Sequence, residues 1–166
     1  MPAEYICEVF SDSHDASQLA SGQSEIDDWL RKSAQDSDRR NLTRSYIWHR
    51  GDGIVVAFYS IMPYFIERET LSKKHSRGLP NGIPCYLIAR LALDQQLQHQ
   101  RLGSQLLASA LERAAKASSE IGGRYVVVDA LNDEVASFYV RHGFEPVPGQ
   151  QNRLVLPTKS IPIRQR

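Results

Sequence analysis

The first third of the chain changes from a helical to a strand spacing of its hydrophobic residues. Over residues 24–36, apolar side chains from Ile26 onward fall on one face at the i, i+3, i+4 spacing, behind a serine and acidic residues that suit a helix start. Residues 45–49 and 53–63 are rich in β-branched and aromatic side chains, and the glycines between them favour a hairpin turn. The pattern predicts one amphipathic helix followed by two antiparallel strands.

The middle of the chain combines a long polar segment with two strongly apolar elements. Residues 67–84 are rich in charge, glycine and proline, which predicts a mobile surface loop. The apolar run at 85–93 predicts a buried strand, and a stripe of leucines and alanines predicts a helix over about 103–118. Residues 124–130 are apolar on both faces, which is typical of a central, parallel strand.

The last third repeats the order of a strand followed by a helix. Asn132 is a good N-cap and Gly143 stands where a glycine often ends a helix, so residues 132–142 are predicted to form about three helical turns. A short strand at Phe144, a turn rich in proline and glycine, and a strand at 153–156 complete the pattern. The full order predicts an α/β or α+β domain with three layers around a sheet.

Composition limits the class of protein and its partners. A chain of 166 residues with 42% hydrophobic content has the size of one domain, so we expect a single domain over 1–166. The net charge of +1 does not favour nucleic acid or an anionic membrane as a partner of the whole surface. Cys7 and Cys85 have no cysteine or histidine at metal-ligand spacing, which predicts reduced thiols and no metal site. Without a signal-like or membrane-spanning segment, the sequence predicts a cytoplasmic protein.

The main chemical signal lies between the apolar strand and the long helix, in DQQLQHQRLGSQLL at 94–107. A tight turn from a strand into a helix presents free backbone N–H groups and the positive end of the helix, which together bind anions. His99 and Arg101 add positive charge, so a phosphate or pyrophosphate is the natural ligand. Taken alone, the segment leaves an ordinary polar turn open, because Gly103 by itself does not make a glycine-rich phosphate loop.

At these residues the sequence resembles the GCN5-related N-acetyltransferases (GNAT). In that family an L-A-V-D strand end precedes a Q/R-x-x-G-x-G/A loop whose amides take the pyrophosphate of acetyl-CoA; LALD at 91–94 and QHQRLGS at 98–104 match it. Arg101 replaces the first glycine of the loop, and we expect it to take a helical φ that costs nothing. ALNDEVASFYVRHGFEP at 130–146 resembles the strand-to-helix segment of the family. The resemblance implies a GNAT-like fold, with a central mixed β-sheet flanked by helices.

The resemblance also implies which residues bind acetyl-CoA as co-substrate. The backbone at the end of the strand supports the pantetheine arm and the acetyl carbonyl, and the loop holds the pyrophosphate. Asn132 commonly contacts the cofactor in the family, and a plain N-cap is the alternative. The implied cofactor-binding residues are Leu91, Ala92, Leu93, Gln98, His99, Gln100, Arg101, Leu102, Gly103, Ser104, Asn132 and Phe138.

Tyr139 is the implied catalytic residue of an acetyl transfer to a primary amine. It matches the tyrosine that, in the family, donates a proton to the departing sulfur, and a phenol with an ordinary pKa of about 10 is protonated at neutral pH. Simple packing beside Phe138 is the alternative. The general base stays open among His142, Asp129, Glu67 and water.

Two arginines are candidates for binding the acceptor. Arg90, inside the apolar strand, either pairs with Asp129 or holds an anionic part of the acceptor or cofactor. Arg44 belongs to a segment, 20–48, that resembles a GNAT branch with an LDxWL helix, a basic stretch and an RTYV-like strand. That branch includes the tRNA-acetylating toxins of bacterial toxin–antitoxin pairs. The likeness implies an aminoacyl-tRNA acceptor and an antitoxin protein as a possible partner.

The nature of the acceptor stays open at this level. The basic residues that would face tRNA phosphates are Arg39, Arg40, Arg44, Lys73, Lys74 and Arg77. A tRNA-binding protein usually has a clear basic excess, which this chain lacks, so a small-molecule or peptide amine is an equal alternative. A catalytically silent acyl-CoA-binding module is a further alternative, and the C-terminal strands suggest a homodimer.

Overall fold

The computed structural model describes residues 4–162. The predicted domain span of 1–166 therefore includes residues 1–3 and 163–166, which lie outside the described part. In chain order the elements are β1 (Ile6–Val9), α1 (Ser24–Lys32), α2 (Ala34–Arg39), β2 (Arg44–His49), β3 (Ala57–Glu67), α3 (Lys73–Ser76), β4 (Gly82–Leu93), α4 (Leu102–Ile121), β5 (Tyr125–Asp129), α5 (Asp133–Arg141), β6 (Glu145–Pro146) and β7 (Arg153–Pro157), with 3-10 helices at Arg68–Thr70, Gln95–Leu97 and Thr158–Ser160. Within residues 4–162, no helix combines the length and apolar character that a membrane crossing needs.

The strands of the described chain form one mixed sheet. Their order is β1-β2-β3-β4-β5-β7-β6, which confirms the predicted α/β fold with a mixed sheet and helices. The chain divides into two compact units: the first comprises Met1–Met62 and Ile88–Ala110, and the second Pro63–Leu87 and Leu111–Arg166. The single domain over the whole chain stays a prediction.

The predicted hairpin in the first unit is confirmed, but its connection is longer than the sequence suggested. β2 pairs antiparallel with β3 from Arg44 opposite Ile61 to Trp48 opposite Ala57. The segment before Ala57 leaves this ladder because it pairs elsewhere: the Val55 N–H donates to the Asp15 carbonyl oxygen at 2.9 Å. Tertiary pairing with an earlier loop therefore shortens the strand that the sequence predicted from residue 53.

The helix predicted over 24–36 is two helices. α1 ends at Lys32 and α2 begins at Ala34, because Ser33 between them leaves the helical region with φ −128°. The N-cap of α1 is Gln23, so the proposed capping serine is the first helical residue. Buried Asp27 instead orders the chain before the helix: its carboxylate accepts hydrogen bonds from the Ser21 N–H at 2.9 Å and hydroxyl at 2.7 Å.

The second unit corrects the predicted mobile loop at 67–84. This segment contains α3, and β4 already begins at Gly82. The buried side chain of His75 explains the order: its Nε2 lies 2.8 Å from a Glu145 oxygen, and its carbonyl oxygen accepts a hydrogen bond of 2.6 Å from the Tyr125 hydroxyl. A buried histidine supported on two sides fixes a segment whose composition is that of a loop.

A histidine–glutamate–histidine cluster connects β1 to its neighbours in the first unit. Glu8 Oε1 lies 2.8 Å from His14 Nε2 and 2.6 Å from His49 Nε2. The other nitrogen of each ring accepts a backbone hydrogen bond of 3.0 Å, from the N–H of Ser11 and of Gly51 respectively. Since a backbone N–H only donates, each neutral ring carries its proton at Nε2 and donates it to Glu8. A metal ion would need the Nε2 lone pairs, so this hydrogen-bond pattern opposes metal binding.

Replacing Glu8 with glutamine is expected to destabilise the protein at neutral pH but not in acid. The hydrogen bonds from His14 and His49 lower the pKa of Glu8 below its ordinary 4.5. A carboxylate with a lowered pKa in the folded state stabilises it above the pKa of the unfolded chain, and this stability is lost as the pH falls through the folded pKa. The Tm of wild type should exceed that of Glu8→Gln at about pH 7, and the gap should narrow as the pH falls below that ordinary glutamate pKa of 4.5. A gap that does not change with pH would contradict this role.

Candidate active site

The turn between β4 and α4 is anchored at its base by Asp94. Its two carboxylate oxygens accept hydrogen bonds from the Gln96 N–H at 3.0 Å and the Ala20 N–H at 3.2 Å. The Gln95 N–H also donates to the Ala20 carbonyl oxygen, at 2.9 Å. The start of the loop is thereby fixed to the segment that precedes α1.

Gln98, predicted from the family motif to bind the cofactor, has an intramolecular role as well. Its half-buried side-chain amide donates to the Leu93 carbonyl oxygen and to the Ser21 carbonyl oxygen, both at 3.0 Å. These bonds tie the loop to the end of β4 and to the segment before α1. Gln98 therefore positions the loop, a role that the sequence alone did not indicate.

The loop presents unpaired backbone donors at the start of the longest helix. The described residues provide no acceptor for the N–H groups of His99, Gln100, Arg101 and Gly103. α4 runs for 20 residues from Leu102, so the positive end of its dipole lies at this loop. A Cβ added to Gly103 would meet nothing within 4 Å, so the space beside the loop is open. Free donors, the dipole and open space fit a phosphate-bearing cofactor.

The expected conformation of Arg101 is wrong. Its φ is 63°, in the left-handed region, where the family's glycine would be free of strain. His99 also has positive φ, at 67°, which the sequence analysis did not anticipate. A left-handed conformation costs a residue with a Cβ roughly 1–2 kcal/mol. The loop thus keeps a conformation suited to glycine while carrying two basic side chains.

The predicted cofactor-binding strand end is confirmed as a strand, with only its backbone available for hydrogen bonding. Ala92 and Leu93 are buried and Leu91 is half-buried at the end of β4. Their side chains carry no polar group, so any contact with the acetyl or pantetheine part would come from backbone atoms. This role for Leu91 to Leu93 stays a prediction, as do those of Leu102 and Ser104 in the first turn of α4.

Arg90 does not pair with Asp129. The Asp129 carboxylate instead receives two hydrogen bonds from Arg153, at 2.7 and 2.8 Å. The Arg90 guanidinium lies 3.6 Å from the centre of the Trp29 ring, and no described residue gives it an ion pair or a hydrogen bond. Burial lowers the pKa of Arg90 below its ordinary value. A half-buried cation whose donors bond none of the residues from 4 to 162 fits an anionic or carbonyl-bearing ligand, and Trp29 is a site candidate that the sequence analysis missed.

Arg44, the second predicted acceptor residue, is engaged within the protein. Its guanidinium hydrogen-bonds the Asp38 carboxylate and donates to the Asp38 carbonyl oxygen at 3.1 Å and to Asn41 at 3.2 Å. These contacts join β2 to the end of α2. Of the neighbouring basic residues, Arg39 and Arg40 lie 4.0 and 3.7 Å from Asp36. An acceptor-binding role for Arg44 stays a prediction.

The second unit carries Tyr139 on α5, a helix that begins as predicted. Asn132 caps it by accepting a 2.9 Å hydrogen bond from the Val135 N–H, so the predicted N-cap is confirmed. The Tyr139 ring packs edge-on against Phe138 and Phe144, with centroid distances of 5.3 and 5.2 Å. Cofactor contacts of Asn132 and Phe138 stay predictions.

The environment of Tyr139 keeps its phenol protonated. The side chain is 6% exposed, and burial raises its pKa from 10.0 to about 12. The hydroxyl has no hydrogen-bond partner among the described residues. A protonated phenol with an unused O–H suits the predicted proton donor.

The predicted general bases differ in how strongly they are engaged. Asp129 is bound by Arg153, which makes it a poor base. His142 donates from Nδ1 to the Phe138 carbonyl oxygen at 2.7 Å, so Nε2 is the basic nitrogen of the neutral ring. Glu67 is exposed at the end of β3. The base therefore stays open between His142, Glu67 and water.

Comparison with known proteins identifies the class of enzyme. Residues 43–146 match the family model described as an acetyltransferase (GNAT) domain. The chain belongs to the GNAT acetyltransferase family, which confirms the resemblance stated from the sequence.

Relatives of the chain include tRNA-acetylating toxins. A "tRNA-acetylating toxin" of Mycobacterium tuberculosis is 36% identical over 88% of this chain and 87% of its own length. The structure of AtaT complexed with acetyl-methionyl-tRNAfMet is similar with a TM-score of 0.88 and 30% identity, covering 95% of this chain and 96% of that one. A tyrosine-to-phenylalanine mutant of AtaT bound to acetyl-CoA and the C-terminus of the antitoxin AtaR has a TM-score of 0.81 and 29% identity, covering 95% of each chain. These matches confirm the branch of the family that the N-terminal segment resembled.

Proposed function

We propose that this protein transfers the acetyl group of acetyl-CoA to the amino group of an aminoacyl-tRNA. The observation that carries the proposal is the 36% identity, over 88% of this chain, to a protein described as a tRNA-acetylating toxin. A protein antitoxin that binds this chain is part of the proposal, since AtaT has been solved with the C-terminus of AtaR.

The loop before α4 supplies the cofactor-binding part of the proposal. Bound acetyl-CoA would provide an acetyl group activated as a thioester. The unpaired N–H groups of His99, Gln100, Arg101 and Gly103 would donate to its phosphate oxygens, helped by the dipole of α4. The hydrogen bonds of Gln98 would hold these donors in place before binding.

Tyr139 supplies the proposed proton for the leaving sulfur. Transfer forms an amide bond to the acceptor nitrogen and breaks the bond from the acetyl carbon to sulfur, so a thiolate departs and the nitrogen loses a proton. The buried Tyr139 hydroxyl, with a pKa of about 12, is protonated at any physiological pH and can donate its proton to the sulfur. The proton from nitrogen goes to a base or to solvent, and a proton from solvent then restores the Tyr139 hydroxyl.

The net charge of +1 conceals an uneven distribution that favours one unit for tRNA contact. The second unit has twelve Lys and Arg against eight Asp and Glu, whereas the first has eight against eleven. On α3 and just after it, Lys73 and Arg77 have no acidic partner among the described residues, while Lys74 pairs with Glu145 at 3.0 Å. Since phosphate contacts need uncompensated cations, we assign them to Lys73 and Arg77.

Replacing Lys73 and Arg77 together with glutamine is expected to lower kcat/KM for aminoacyl-tRNA about tenfold and to weaken its salt dependence. Acetyl-CoA affinity should not change. The matched control is the pair Arg39→Gln and Arg40→Gln, whose charges are already close to Asp36 and should matter less. Equal losses for both pairs, measured by acetylation rates at several salt concentrations, would contradict the assignment to α3.

The direct test of the proposed function measures acetyl transfer from labelled acetyl-CoA to three separate pools. These are bulk aminoacyl-tRNA, a mixture of polyamines and amino sugars, and peptides. Label in the tRNA pool that requires the enzyme supports the proposal. Label only in small amines or peptides would show that the protein is an acetyltransferase whose acceptor is not aminoacyl-tRNA. Acetyl-CoA binding without any transfer would instead support a catalytically silent binding module.

A further inference from the structure

Arg90 lies flat on the indole ring of Trp29. Its guanidinium carbon is 3.6 Å from the centre of the ring, which is the contact distance of roughly 3.5–4.0 Å between stacked carbon atoms. An edge-on guanidinium would place a nitrogen between the two groups and its carbon farther away. Stacking leaves the N–H donors of the guanidinium pointing outward in its own plane. The ring thus fixes the cation without using its hydrogen-bonding groups.

Trp29 is itself fixed by the core of the first unit. Its partly buried side chain packs against a cluster that includes Phe58 of β3 and Ala92 of β4. Ala92 lies two residues after Arg90 on the same strand, so both side chains belong to the face of the sheet that α1 covers. Arg90 is therefore held in one place by a rigid strand on one side and a packed helix on the other.

The charge of Arg90 is not neutralised by any carboxylate among residues 4–162. The neighbouring acidic residues of α1 have other partners: Asp27 accepts hydrogen bonds from Ser21, and Asp28 lies 3.0 Å from Arg31. Burial lowers the pKa of Arg90 below its ordinary value, so the half-buried site disfavours an uncompensated cation. A flat cation in this setting, with its donors directed outward as a fork, fits an oxyanion that accepts two N–H groups.

The position of Arg90 along β4 indicates which anion it binds. Arg90 directly precedes Leu91, at whose backbone the acetyl carbonyl is predicted to bind, so its anion would lie within about one side-chain length of the transferred group. The phosphates of acetyl-CoA are separated from its acetyl group by the whole pantetheine arm. In an aminoacyl-tRNA, the phosphates nearest the reacting amino group are those of the single-stranded 3′ end.

We propose that Arg90, held flat by Trp29, binds one phosphate of the single-stranded 3′ end of the acceptor and thereby positions the amino group for transfer. The inference rests on the proposed function, because it takes aminoacyl-tRNA as the acceptor. The fork of one guanidinium matches two oxygens of one phosphate. This contact is separate from those assigned to Lys73 and Arg77 of the second unit.

Arg90→Gln is expected to lower kcat/KM for aminoacyl-tRNA about tenfold, as for loss of a charge-assisted hydrogen bond. The slope of log kcat/KM against log salt concentration should become shallower by about 0.7, the effect of one phosphate contact on a single strand. Acetyl-CoA affinity should not change. Arg90→Lys keeps the charge but neither the flat stack nor the fork, so it should restore only part of the activity. Acetylation rates over a salt series measure these effects.

Two further variants separate this role from a purely structural one. Trp29→Leu should lower kcat/KM as Arg90→Gln does, and the double variant should lose little more, because both side chains act on the same phosphate. Arg50→Gln is the matched control. Arg50 also lies over a ring, 5.4 Å from the centre of Tyr5, but it already donates to the Tyr5 hydroxyl at 3.1 Å. This control should leave the rate and its salt dependence unchanged.

An acceptor with an uncharged 3′ end tests the contact directly. Aminoacyl-tRNA is prepared with methylphosphonates at every linkage of its single-stranded 3′ end, which removes the charge and keeps the nucleosides. The advantage of wild type over Arg90→Gln should fall from about tenfold on the natural acceptor to about one on the neutral acceptor.

A tenfold advantage that persists on the neutral acceptor would overturn the inference, because Arg90 would then act on the amino acid or through the fold. Equal rates of wild type and Arg90→Gln on natural aminoacyl-tRNA would also overturn it and leave the proposed function intact. A wild-type protein that acetylates no aminoacyl-tRNA would overturn both.

Discussion

Replacing Tyr139 with phenylalanine is expected to lower kcat for acetyl transfer by about 10²- to 10⁴-fold, the usual contribution of a positioned acid. Acetyl-CoA affinity and stability should change little, because the Tyr139 hydroxyl has no hydrogen-bond partner among the described residues and the ring packing survives. Steady-state rates with labelled acetyl-CoA, calorimetric affinity and thermal unfolding measure the three effects. A loss of kcat below about threefold would reduce Tyr139 to a packing residue.

Tyr125→Phe provides the matched control in the same unit. Tyr125 is also buried, but its hydroxyl donates to the His75 carbonyl oxygen at 2.6 Å. Removing it leaves a buried acceptor unpaired, so we expect the free energy of unfolding to fall by about 1–3 kcal/mol with kcat unchanged. Both substitutions delete a tyrosine hydroxyl. Tyr139→Phe should lower kcat with little change in stability, and Tyr125→Phe should lower stability with no change in kcat.

Replacing Gly103 with valine is expected to weaken acetyl-CoA binding at least about 50-fold while the protein stays folded. A Cβ at this position meets no atom within 4 Å, and the φ of Gly103 is not in the left-handed region, so the backbone accepts a side chain. The added methyl groups would occupy the open space beside the free amides, where the phosphates are proposed to lie. The expected loss corresponds to more than about 2 kcal/mol of binding free energy.

Two variants make the Gly103 result specific. Ala108→Val places the same valine side chain at an exposed position of α4 and should leave affinity unchanged. Gly103→Ala should be tolerated better than valine, since the GNAT motif accepts glycine or alanine at this place. If Gly103→Val bound acetyl-CoA like wild type, with unfolding unchanged, the phosphates would have to bind elsewhere.

The sequence predicted the family and the elements that carry local signals. LALD at 91–94, the QHQRLGS loop and the cap at Asn132 depend on short-range pattern, and the structure places a strand end, a helix start and an N-cap there. The predictions were wrong where contacts between residues far apart in sequence determine the local structure. The strand predicted from residue 53 is shortened by pairing with Asp15, and the loop at 67–84 is ordered by the contacts of His75.

The site shows the same division between local and distant causes. Residue types and spacing indicated the loop, Tyr139 and Arg90 as functional candidates. They did not indicate that Arg153 pairs with Asp129 or that Trp29 lies against Arg90, because contacts between residues far apart in sequence produce no local sequence pattern. Nor did they fix the φ of Arg101, which lies in the left-handed region.

By itself, the sequence determined the order of the longer strands and helices, the GNAT motifs and the kind of chemistry, because hydrophobic period, capping residues and motif spacing act over a few neighbouring residues. It did not predict β1 or α3, and it predicted α1 and α2 as one helix. Only the tertiary structure decided which charges are neutralised and which stay unpaired, as with Arg44 beside Asp38 and Arg90 on Trp29. It also decided that Arg101 sits in a glycine conformation. The physical reason is that burial, ion pairing and backbone strain depend on the distances between atoms, which folding sets and spacing along the chain does not.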